Sequence, residues 1–127
     1  MIFGIFSTSQ PEIKSDNSAL HSILNYCAQH FAGDIALEEV AKALHLNKYH
    51  ISHLLNQKLG IGFSAYINAL RVNKACKQPV STDKKIAGIS EESGFGSIRS
   101  FNRAFAQITD MTPQEYRRLH IRKSKSY

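Results

Sequence analysis

"KYHISHLLNQKLGIGFSAY", Lys48 to Tyr66, and "IRSFNRAFAQITDMTPQEY", Ile98 to Tyr116, run in parallel at a constant offset of 50 residues. Ile51 falls on Phe101, Leu54 on Ala104, Leu55 on Phe105 and Tyr66 on Tyr116. Gly60 falls on Asp110, and both residue types tolerate the backbone that follows a helix end. A helix advances about 100° per residue. With Phe101 at zero, Ala104, Phe105 and Ile108 lie within about 60° of it and form an apolar stripe. Arg99, Asn102, Arg103 and Ala106 lie between about 100° and 200°, on the far side. Counted from Ile51, the residues Tyr49, Ser52, His53 and Asn56 take the same places. A solvated face has no reason to repeat in this way, whereas a duplicated binding face does.

Upstream the offset drops to 49, placing Leu37 on Ile86 and Val40 on Ile89. The second turn is therefore one residue longer, with Gly94 inside it. Each unit reads as a short helix, a tight turn and a longer helix with a polar outer face, the organisation of a helix-turn-helix. Between the units, Phe63, Tyr66, Ile67 and Leu70 make one apolar stripe. Val72, Ala75 and Cys76 make another, about 180° away. One connecting helix thus serves two cores and holds two outer faces at a fixed spacing.

The rest of the chain predicts an all-α fold of about seven helices, because no alternating strand pattern occurs. Residues 1–17 read as an arm or linker. "SALHSILNYCAQHF" is amphipathic through Leu20, Ile23, Leu24, Cys27 and Phe31, with Ser18 or Asn17 as its cap and Gly33 at its end. A domain over 18–120 would hold a first helix-turn-helix at about 35–60, a connecting helix at about 63–78 ended by Pro79, and a second helix-turn-helix at about 83–109. Asn47 caps the first outer helix, and Asp83 or Thr82 caps the short helix of the second unit. Thr112, Pro113 and Glu115 spell a capping box for the last helix. Residues 121–127 form a basic tail.

Of the 127 residues, 43% are hydrophobic and 20% charged, a globular composition. The net charge of +6 is unevenly spread. Residues 1–47 carry two Lys against five acidic residues, while 48–127 carry 14 Lys and Arg against five. Such asymmetry points to a polyanionic partner. No run is long enough to span a membrane, and "MIFGIF" lacks the basic region of an export signal. Cys27 and Cys76 fit no metal or redox spacing, so the expected compartment is the cytoplasm.

Ile86 and Ile89 followed by "SGF" (93–95), "FNRAF" (101–105) and "TPQEYR" (112–117) form the pattern by which this chain resembles the DNA-binding domain of the AraC/XylS family of bacterial transcription regulators. "LEEVAKALHLNKYHISHLL" and "YINALRVNKA" match the first unit, so the resemblance covers roughly 18–120. It implies seven helices, with two recognition helices in successive major grooves of duplex DNA. Carried over position by position, it gives base-facing roles to Tyr49, Ser52, His53, Ile98, Arg99, Asn102 and Arg103. Lys48, Asn56 and Ser97 complete the candidate DNA-binding set. The chain departs from the pattern at Ala36, where a cap is usual, at Gln78-Pro79, and at Gly88 and Ser90. Family members often carry an effector or dimerisation domain, and none is visible in these residues. A stand-alone protein and a piece of a longer one both remain open.

Arg99 and Arg103 have the forked geometry that suits guanine, and Asn102 suits adenine or a phosphate. His50 and His53 stand at i, i+3, but no Cys or carboxylate is spaced to complete a metal set, so neither metal nor cofactor is expected. No nucleophile–base arrangement, P-loop or carboxylate pair points to an enzyme. A protein-binding module calls for apolar outer faces, and a membrane binder for an apolar stripe opposite a Lys-rich one. The expected function is sequence-specific binding of double-stranded DNA by a single chain, with RNA polymerase as a further partner.

Overall fold

The computed structural model describes residues 16–77 and 84–124. Seven helices occur among them: α1 (Asp16–His30), α2 (Leu37–Leu44), α3 (Lys48–Leu59), α4 (Phe63–Lys77), α5 (Ile86–Glu92), α6 (Ile98–Thr109) and α7 (Pro113–Ser124). No strand is present among the described residues. Most of the expected arm, the Gln78-Pro79 break, Thr82, Asp83 and the end of the tail lie outside those residues.

The internal repeat is carried by the backbone. Asn47 Oδ1 accepts the Tyr49 N–H at 2.8 Å to start α3, and Ser97 Oγ accepts the Ser100 N–H at 3.1 Å to start α6. Gly60 and Asp110 both take left-handed backbone (φ 74° and 61°), donating to the Asn56 and Ala106 carbonyls. The two inner turns close alike. Leu46 N–H reaches the Ala41 carbonyl at 2.9 Å, and Phe95 N–H reaches the Ser90 carbonyl at 3.1 Å. His45 (φ 56°) and Gly94 (φ 102°) are the corresponding left-handed residues. The 49-residue offset therefore persists through Phe95. The additional residue of the second turn is Gly96, inserted between this closure and the Ser97 cap.

Two cores flank α4. Ala19, Ile23, Cys27, Val40, Ile51, Leu54, Leu55 and Ile67 form the first, with Leu20, Leu24, Phe31, Phe63, Tyr66 and Leu70 packed around it. Val72, Ala75, Ile89, Phe95, Phe101, Ala104 and Phe105 form the second, with Cys76, Ile86 and Tyr116 against it. The stripes expected on α4 fall on these two cores. Burial pushes the Cys27 thiol up to about 11, as an apolar setting disfavours the thiolate.

Two local expectations are corrected. Asp16, Asn17 and Ser18 are already helical, so neither Asn17 nor Ser18 caps α1, and Ser18 instead accepts a bond from the Ser22 hydroxyl. The position before α5 is Lys85, which makes no side-chain cap bond, and the caps expected at Asp83 or Thr82 fall outside the described residues. Ile108 is 48% exposed, because the second core ends one turn earlier at Phe105. Ala36 precedes α2 without a side-chain cap, as the sequence indicates. In α7 the box is complete: Glu115 accepts the Thr112 N–H and Thr112 accepts the Glu115 N–H.

Candidate nucleic-acid interface

On α3, Tyr49 is 73% exposed, and His53 and Asn56 are also exposed, while Ser52 is half-buried. Lys48 pairs with Glu38 at 3.3 Å and lies over the Tyr49 ring, 5.4 Å from its centroid. The Glu38 carboxyl is held below the usual range by its own N–H and by Lys48. Lys48 therefore enters any interface already partly neutralised. Asn56 donates its amide to the Ser52 carbonyl at 2.9 Å, so reading a base would require that bond to open. His50 is exposed at the helix start. Among the described residues, no group of three His, Cys, Asp or Glu side chains is placed to hold a metal.

On α6, Ile98, Arg99, Asn102 and Arg103 are all exposed. With other described residues, the side chains of Arg99, Asn102 and Arg103 make no hydrogen bond or ion pair, leaving two cations and an amide open to solvent. The face has two borders. Ile98 and Asn102 line a cavity of about 420 Å³ with Ile86, Thr112, Pro113 and Gln114, at the start of α7. Arg103 lines a more polar cavity of about 220 Å³ with Asn68, Arg71, Gly96, Ser100 and Gln107, facing α4. Arg99 and Ala106 fall between these borders on the helical projection. Ser97 carries the helix cap rather than projecting from the face.

Ser100, Gln107 and Asn68, which are not among the candidates that the sequence singles out, share the Arg103 cavity. Ser100 and Gln107 stand at i−3 and i+4 from Arg103, a neighbour spacing that was available as a signal. Asn68 lies on another helix and gave none.

Tyr49, Ser52 and His53 thus lie together on the outer side of α3, and Arg99, Asn102 and Arg103 on that of α6, each helix capped by a side chain at its start. A helix-turn-helix domain profile matches residues 40–119. The regulatory protein PocR of Salmonella typhimurium is 35% identical over 101 residues, covering 80% of this chain and 33% of its own length. Curated relatives are spanned over only 14–33% of their lengths. The C-terminal domain of AraT, a response regulator from Geobacillus stearothermophilus, superposes with a TM-score of 0.74 at 31% identity, over 79% of this chain and 84% of that one. The DNA-binding domain of AdpA, solved with a target DNA, shares the fold at a TM-score of 0.77 and 15% identity, over 85% of this chain and 97% of that one. The chain belongs to the helix-turn-helix transcription regulators of the AraC/XylS family and carries their type of DNA-binding domain.

Proposed function

We propose that one chain binds one asymmetric duplex site, with α3 in one major groove and α6 in the next. Tyr49, Ser52 and His53 contact the first segment, with Lys48 at its phosphates and Asn56 at its edge. Ile98, Arg99, Asn102 and Arg103 contact the second, with Ser97 at the helix start. The single observation that supports this reading is the pair of outer faces on α3 and α6, repeated at one offset and held by a shared helix. Their chemistries differ, so the two segments must differ in sequence. Identical half-sites about one turn (34–36 Å) apart belong to symmetric dimers. DNA as the partner places the protein in the cytoplasm, and contact with RNA polymerase is the route by which a bound chain acts on transcription.

Selection from random duplexes, followed by mass measurement of the complex and insertion of half a turn between the segments, tests the reading. A one-to-one complex on a non-palindromic site, weakened by the insertion, supports it. A two-to-one complex on a palindrome, or indifference to the insertion, defeats it.

A further inference from the structure

Arg71 lies on α4, yet its side chain reaches beyond that helix. Its Nε donates to the Phe31 carbonyl at 2.7 Å and its Nη2 to the Gly33 carbonyl at 2.9 Å. Phe31 and Gly33 follow the end of α1, where carbonyls lack intrahelical partners and the helix dipole favours a cation. The same guanidinium lies over the Phe95 ring, 5.8 Å from its centroid. Phe95 precedes α6 and packs edge-on against Phe101, with ring centroids 5.2 Å apart. Beside this contact, a Cβ on Gly94 would lie 2.9 Å from the Ala32 Cα and carbonyl oxygen and 2.9 Å from Arg71 Nε. The end of α1, Arg71 and the turn before α6 are therefore pressed together. Partial burial lowers the Arg71 pKa from the usual arginine value, and Asp34 opposes that shift.

We propose that Arg71 is the positioning residue that sets the placement of α6 relative to α3, and thereby the DNA spacing the chain accepts. This rests on the two-segment reading above. α4 carries the two cores on opposite sides, so within α4 the two units are linked through separate packed faces. Arg71 adds a strut beside them, bonding the first unit's frame with one edge of its fork and contacting the second unit's turn with its face. Lys has the charge but lacks the planar fork, so it cannot do both.

The test measures binding of wild type and of Arg71→Lys, Arg71→Gln and Phe95→Leu. The duplexes carry both segments at the selected spacing, both segments with one base pair inserted or deleted, or one segment alone. Thermal stability is recorded for every variant. Phe95→Leu keeps an apolar side chain in the core while removing the ring beneath the guanidinium. The expected result is near-wild-type binding to one segment and a loss of about tenfold on the two-segment site, because a looser linkage lowers the effective concentration of the second head. The wild-type preference among spacings should flatten at the same time. Equal loss on one-segment and two-segment duplexes, or an unchanged ranking of spacings in a discriminating background, overturns the proposal alone. A wild type indifferent to spacing overturns the two-segment reading and this proposal with it.

Discussion

The two helix-turn-helix units close their turns with the same hydrogen bonds but place different residues at the bend. His45 occupies the left-handed position in the first, and Gly94 in the second. His45 is exposed, and its side chain has room. At Gly94 the backbone of Ala32 and the Arg71 side chain fill the space a Cβ would need. One backbone geometry thus carries two different constraints, set by what lies across from it. The fillings differ as well. The first core presents Ile51, Leu54 and Leu55 from α3, and the second presents Phe101, Ala104 and Phe105 from α6. Volume lost at Ala104 is offset by the two rings beside it. The first unit also has all of α1 over it, whereas the second is flanked by α4 and, through Tyr116, by α7.

The sharpest way to break the comparison is to exchange the bend residues. Gly94→Ala should destabilise by about 2–4 kcal/mol, from left-handed strain plus overpacking against Ala32. His45→Gly should stabilise by about 0.5–1 kcal/mol, since only the strain is removed. Denaturant melts of both variants check this, and equal, small effects would mean that the contacts around Gly94 yield freely.

Next in size is the difference between the two outer faces. Arg103→Ala and Arg99→Ala should each cost about 1–3 kcal/mol against the preferred base in the second segment and leave base preference in the first intact. A panel of single-base variants measures it. A uniform loss across the panel would assign these arginines to phosphates instead.

Smaller still is the expected softness of the second unit. Gly88 lies inside α5 with open space at its Cβ position, so Gly88→Ala should stabilise by about 1 kcal/mol. Hydrogen exchange should show 84–110 opening before 35–60 in wild type, and Gly88→Ala should narrow the gap. Opening in the reverse order would show that the second unit's aromatic rings outweigh its poorer helix.

The smallest effect is acid-dependent. Bonding to the Thr112 backbone and hydroxyl depresses the Glu115 pKa. Its stabilisation is present above the ordinary glutamate pKa and is lost as pH falls through the depressed folded value. Glu115→Gln should therefore flatten part of the acid limb of thermal stability. The α4 start, where Gly62 takes the place of Thr112, offers no matching box. An unchanged acid limb would show that the box contributes nothing at the α7 start.

Features that depend on near neighbours in the chain were legible in the sequence. The caps at Asn47 and Thr112, the bends at Gly60 and Asp110, and the two stripes of α4 all follow from spacing and residue type. The Arg71 contacts were not, because their partners lie 38 and 40 residues away and are backbone carbonyls, which leave no residue signature. The tightness at Gly94 was hidden for the same reason. The α3 and α6 faces were recovered by projection, but the bond from Asn56 back to Ser52 was not, since a rotamer choice is invisible in a wheel. The exposure of Ile108 followed from where the second core stops, which the stripe alone does not specify.

The sharing of α4 between two cores has a consequence for folding. Neither unit can melt without stripping one side of a helix the other still needs, so loss of one half raises the free energy of the remaining half. The domain should unfold in a single cooperative transition, unlike two beads on a string. A chain severed between Lys77 and Lys84 would yield an N-terminal piece displaying Val72, Ala75 and Cys76 as an adhesive strip, and a C-terminal piece missing the floor of its core. Mixed together, the two pieces should find each other and restore the fold, because each carries the surface the other lacks.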